Sequence, residues 1–192
     1  MAHHVNTNTG EVSVCKAKKG GCPFGGESGT DNHYSTPEEA RAGSEKLMES
    51  TYATINKSYR KKETGIAIPE KMAQKVIREA IDGKNKIHPS VAAKVFSTSA
   101  SERVRLVAAR EVKSQKFLRE MSNDESALVR TEVAKSTNNP AVLSALAKDG
   151  DAKVRKAALS NKKIPDRART AALNFIKSRD TNHSASEAPV AA

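Results

Sequence analysis

Val129-Arg130-Thr131-Glu132-Val133-Ala134, then Asn139-Pro140, then Leu143-Ser144-Ala145-Leu146-Ala147-Lys148-Asp149, is one copy of a pattern that returns along the second half of the chain. Val104-Arg105, Val129-Arg130 and Val154-Arg155 keep a step of 25 residues. Leu118 and Leu143 keep it too, as do Met121 and Leu146 with Ala171 to follow, Asp124 and Asp149, Pro140 and Pro165, and Ala108, Val133 and Ala158. Independent columns that share one period mark stacked supersecondary units.

One unit reads as two short helices. The first starts near Asn139-Pro140 and runs to about Lys148, with Leu143 and Leu146 inward. Asp149-Gly150-Asp151 turns the chain and supplies an N-cap. The second spans about Ala152 to Ser160, with Val154, Ala157 and Ala158 inward. Small inward residues let neighbouring helices approach closely. Pro89, Val95 and Phe96 suggest an imperfect earlier copy, which gives about three to four repeats between residues 87 and 179. The expected fold is all-α: a short α-solenoid with an irregular N-terminal segment.

The flanks read differently. Residues 1–35 are rich in Gly, Asn, Thr and Ser and show neither a helical nor a strand period. Thr36-Pro37-Glu38-Glu39 is a capping box that opens a helix to about Tyr59, with Ala40, Leu47, Thr51 and Ile55 as its stripe. Pro69 opens another to about Asp82, with Met72, Val76, Ala80, Ile77 and Ile81 as its apolar positions. Residues 36–86 are therefore expected to be helices that cap the repeats. Residues 180–192 are small, polar and aperiodic, and are expected to be a disordered tail.

The repeat columns resemble the leucine-rich repeat variant family, whose pattern runs V-R-x-x-[VA]-A, a turn, then L-x-x-L-A-x-D. The resemblance implies a right-handed solenoid close to HEAT repeats. Iron–sulfur modules carried by some members use four cysteines, whereas this chain has two, Cys15 and Cys22. The N-terminal segment, with Asn6-Thr7-Asn8-Thr9-Gly10, Cys15, Gly21-Cys22-Pro23-Phe24-Gly25-Gly26 and His33-Tyr34, is similar to a leader-like module fused to varied domains in bacterial and phage proteins. That implies docking or targeting.

Composition agrees with a thin helical stack. Apolar residues are 37% of the chain, aromatics 4%, and Trp is absent. The net charge is +11 and is uneven: residues 1–52 carry −2, residues 53–120 carry +9 and residues 121–180 carry +5. A field of that sign attracts nucleic acid, anionic lipid or an acidic protein, and equally keeps a protein soluble. No apolar run approaches the length needed to span a bilayer. The start of the chain lacks the basic and apolar regions of a signal peptide, so the expected location is cytoplasmic.

Three groups of residues hold chemical interest. Cys15, Cys22 and His33 are the metal candidates; zinc needs about four ligands, and His3 or His4 is at hand for the fourth. Zinc, a Cys15–Cys22 disulfide and unlinked thiols all remain open at this level. Arg105, Arg130 and Arg155 form a ladder that favours an intramolecular role over phosphate binding. Arg60, Lys61, Lys62, Lys71, Lys75 and Arg78, with Lys113, Lys116 and Arg119, are the candidate anion or nucleic-acid contacts. Few aromatics interleave them, so base stacking is disfavoured. No nucleophile elbow, P-loop or H-E-x-x-H appears, and no small-molecule substrate is evident. The expected function is a non-enzymatic binding scaffold for a protein partner. The alternatives are non-specific nucleic-acid binding through the basic middle, and a metal or redox module at Cys15 and Cys22.

Overall fold

The computed structural model describes residues 2–16, 22, 32–62 and 67–186, with side chains as far as residue 178. Among these the chain is mostly helical, with nine helices and one small sheet. It divides into two compact units, residues 1–111 and 112–192.

The first unit begins with three strands: β1 (His3–Val5), β2 (Val12–Val14) and β3 (His33–Tyr34). They form an antiparallel sheet in the order β2-β1-β3. This corrects the expectation of an irregular segment and of an all-α chain. Strands of two and three residues are too short to show an alternating period. Between β1 and β2 the chain turns at Asn6–Glu11, with the Asn6 N–H donating to the Glu11 carbonyl at 2.9 Å. Gly10 closes the turn at φ +69°, a left-handed conformation that favours glycine.

The sheet lies on α1 (Pro37–Lys61). Thr36 and Glu39 make the expected capping box, and Lys62 ends the helix in the left-handed region. Ala40, Met48, Ile55 and Ser58 are the buried positions of α1. Val5 of β1 is buried as well. The Ser44 hydroxyl donates to the Gly10 carbonyl, and the Lys75 ammonium donates to the Thr9 carbonyl at 3.2 Å. The remaining helices of this unit are α2 (Glu70–Ile81), α3 (Pro89–Ser97) and α4 (Glu102–Glu111). Met72, Val76, Ile77, Phe96 and Val104 fill the core between them. Ile77 is inward as read, whereas Ile81, at the end of α2, is 47% exposed.

The second unit holds α5 (Gln115–Met121), α6 (Ala127–Ser136), α7 (Pro140–Leu146), α8 (Ala152–Ser160) and α9 (Asp166–Ser186). Helices α6 and α8 pack along one another. Leu118, Leu143, Val129, Val133, Val154 and Ala158 are fully buried, as the columns require. One column breaks at the last copy: Ala171 is exposed, while Ala172, 25 residues after the buried Ala147, is buried. Helix α9 starts 26 residues after α7. Helix α9 also continues to Ser186, into the stretch expected to be disordered; residues 187–192 lie outside the described residues.

The 25-residue step is visible in hydrogen bonds as well as in burial. Helices α4, α6 and α8 begin at Glu102, Ala127 and Ala152. Ahead of each, the side chain of Ser99, Asp124 or Asp149 accepts from the backbone N–H two residues on, at 3.2, 2.9 and 2.8 Å. Ser126 and Asp151 then cap α6 and α8. The arginine ladder braces the same turns. The Nη1 of Arg105 donates to the carbonyls of Ser99 and Ala100, that of Arg130 to Asp124 and Glu125, and that of Arg155 to Asp149 and Gly150. Arginine fits because its planar fork reaches two acceptors at once. The guanidinium groups therefore act within the chain, and Arg105 is only 7% exposed.

Candidate metal centre

The sheet register explains how four candidate ligands come together. His4 pairs with Ser13 of β2 on one side and with His33 of β3 on the other. Residues directly opposite on neighbouring strands point to the same face. Side chains alternate along a strand, so Val5 and His3 take the face opposite His4. Val5 is buried in the unit. This parity selects His4, and not His3, as the companion of the cysteines. Cys15 lies two residues beyond Ser13 and continues the ladder, its N–H donating to the Ala2 carbonyl at 2.8 Å. It therefore shares the face of His4 and His33. Cys22 arrives from the connection that follows.

The donor atoms of His4, Cys15, Cys22 and His33 all lie within 4.8 Å of one another. The His33 Nε2 is 3.4 Å from the Cys15 Sγ, and the Cys22 Sγ is 3.9 Å from the His4 Nδ1. The two imidazoles meet edge to face with centroids 6.1 Å apart. Zinc takes thiolate at about 2.3 Å and imidazole at about 2.0–2.1 Å, so neighbouring donors of its tetrahedron stand about 3.3–3.8 Å apart. The cluster is close to that size before any contraction. All four side chains are half-buried, and Cys15 and Cys22 are not joined to each other.

A further contact supports the same assignment. The His4 Nε2 lies 2.9 Å from the Ser13 hydroxyl. A histidine that binds metal through one ring nitrogen commonly hydrogen-bonds through the other, which fixes its tautomer and orientation. Here Nδ1 faces Cys22 while Nε2 is held by Ser13. Spacing alone offered His3 or His4 as the fourth ligand without choosing between them, and gave no sign of Ser13. Strand parity at His3-His4-Val5 is the signal that distinguishes the two histidines.

The cationic candidates are divided between the two units. Arg60, Lys61, Lys62, Lys71, Lys75 and Arg78 belong to the first unit, and Lys113, Lys116 and Arg119 to the second. Lys75 is half-buried on Thr9, and Arg78 pairs with Glu111 at 2.6 Å. The others are exposed on helices or their ends. Among the described residues no helix is long and apolar enough to cross a membrane. Comparison of the chain with protein-family models, curated proteins and solved structures gives no match.

Proposed function

We propose that the chain is a non-enzymatic binding scaffold: an α-solenoid of variant leucine-rich, HEAT-like repeats that engages a protein partner, with an N-terminal module closed by a Cys2His2 zinc site. The observation that carries the scaffold reading is the return of one helix start, one turn and one arginine brace at Glu102, Ala127 and Ala152. Repeats of this kind use their inward residues to hold neighbouring layers, which leaves the outward faces for binding. Four protein donors complete a tetrahedron, so the zinc would be structural, with no open position for substrate. It would tie β1, the residue after β2, Cys22 and β3 into one unit seated on α1.

The nucleic-acid alternative has less support. Lys75 and Arg78 are engaged within the chain, and the aromatic residues of the second unit are the buried Phe117 and the half-buried Phe175. A titration of the full chain against duplex and single-stranded DNA decides between the readings. Backbone-driven binding weakens steeply as salt rises. The scaffold reading expects no complex at low salt, together with a protein partner that stays bound after nuclease treatment. A tight, steeply salt-dependent DNA complex would overturn it.

A further inference from the structure

Between α6 and α8 lies an open cleft of about 420 Å³ that the sequence does not announce. Thr131 and Lys135 line it from α6, and Lys153, Lys156 and Ala157 line it from α8. Thr131 and Lys135 are four apart and Lys153 and Lys156 three apart, so each pair shares one helix face. The repeat step sets these faces side by side, with Thr131 corresponding to Lys156 and Leu128 to Lys153. Leu128 sits one turn before Thr131 on the same face of α6 and is 51% exposed.

We infer that this cleft is the partner-binding surface of the second unit and that its occupant is an acidic, amphipathic protein segment. Three observations lead there. First, the charge is concentrated: residues 127–163 carry eight Lys and Arg against three Asp and Glu. Among the described residues neither the Lys153 nor the Lys156 ammonium pairs with a carboxylate, while Lys135 bonds to Glu132 at 2.7 Å. Second, the exposed lining is mostly apolar although Thr131, Ser160 and Asn161 contribute to it beside Ala157; lysine stems can cover apolar surface while their heads stay wet. Third, Leu128, outside the lining but one turn before Thr131 on the same face of α6, is an exposed apolar side chain. Carboxylates at the rim and one aliphatic side chain on the floor would match this layout. A nucleic-acid strand would find cations but no aromatic ring on which to stack. The inference deepens the scaffold reading by naming the partner's chemistry. A chain that bound its protein through another face would sink the cleft and leave the scaffold standing.

The test uses the full chain and fluorescent peptides. One peptide carries Asp and Glu around a single Leu; the second has that Leu changed to Ser; the third has its acids changed to Lys. A short DNA duplex completes the set. The first peptide should bind at least about tenfold more tightly than the other probes, and the preference should shrink as salt rises. Lys153→Glu with Lys156→Glu should weaken it about tenfold or more, because like charges would then face each other. Leu128→Ser should weaken it several-fold, and Lys116→Glu on α5 should leave it unchanged. All four positions are exposed, so circular dichroism should show the same helix content throughout. Failure of the acidic peptide to bind at low salt, indifference to the Lys153 and Lys156 reversals, or tighter binding of the duplex would each overturn the inference.

Discussion

Arg130 grips Asp149 with both arms of its fork, Nε to Oδ2 at 2.8 Å and Nη2 to Oδ1 at 2.9 Å, across the interval from one repeat helix to the next turn. The pair is mostly shielded, with side chains 19% and 11% exposed. Asp149 also accepts the N–H of Asp151, which shapes the turn. Burial alone would raise the Asp149 pKa. The hydrogen bonds from Arg130 and Asp151, with the charges of Arg130 and Arg155, outweigh it and hold the carboxyl below its ordinary value.

Asp149→Asn keeps the turn-forming oxygen and removes the charge. It should cost about 1–2 kcal/mol of stability, the range for hydrogen bonds to charged groups after solvent screening. The acid limb checks the cause. A carboxyl with a depressed folded pKa contributes stability that is present above its unfolded value and lost as pH falls through the folded one. Wild type should therefore lose stability below the ordinary Asp range more steeply than Asp149→Asn. Equal slopes in denaturant melts at several acidic pH values would contradict the pairing.

Zinc content is a direct measurement. The purified chain should carry about one zinc, and Cys15→Ser, Cys22→Ser or His4→Ala should lower that to a small fraction. His3→Ala should retain the metal, because His3 occupies the other face of β1. A His3 variant that lost zinc while His4→Ala kept it would reverse the ligand assignment. Ser13→Ala should weaken affinity by about tenfold or more while leaving the stoichiometry intact at saturating zinc.

Gly43 is the point where β3 reaches α1. A β-carbon there would overlap the hydroxyl and ring of Tyr34. Gly43→Ala improves helix propensity by about 1 kcal/mol, yet displacing a packed ring costs about 1–3 kcal/mol. The net expectation is destabilisation of the sheet on α1, read as faster amide exchange at His33 and Tyr34. Pairing Gly43→Ala with Tyr34→Leu should recover most of the loss.

Alkaline stability tests the contact between α1 and α2. The Tyr52 hydroxyl donates to Glu79 at 3.2 Å, and burial followed by the Glu79 charge pushes its pKa up to about 12. The folded state then keeps a proton that the unfolded chain gives up from its ordinary value of 10.0. This contribution is present below that value and is lost as pH rises toward about 12. Tyr52→Phe should flatten that part of the stability profile, measured by thermal melts across the alkaline range.

How much of this was legible follows the length scale of each feature. The start of α8 at Ala152 and the capping box at Thr36 are written in neighbouring residues, and both read correctly from the chain. The buried columns at Val104, Val129 and Val154 needed only a repeated step. The sheet was illegible because β1 and β3 are far apart in sequence and each too short to carry a period. His4 became distinguishable from His3 only once Val5 fixed which face of β1 is inward. The lysines of α6 and α8 look like ordinary solvated faces until the two helices lie together.

The brace at Asp149 gives the array a modular grammar. Each turn presents a carbonyl pair to the arginine that follows it, and Asp149 also answers the arginine behind it. Such a turn is at once the end of one copy and the beginning of the next. A gene encoding it can therefore gain or lose whole copies by unequal recombination and still join compatible ends. An insertion of another length between Arg130 and Asp149 would pull that pair apart, so the array is expected to vary among descendants in complete units.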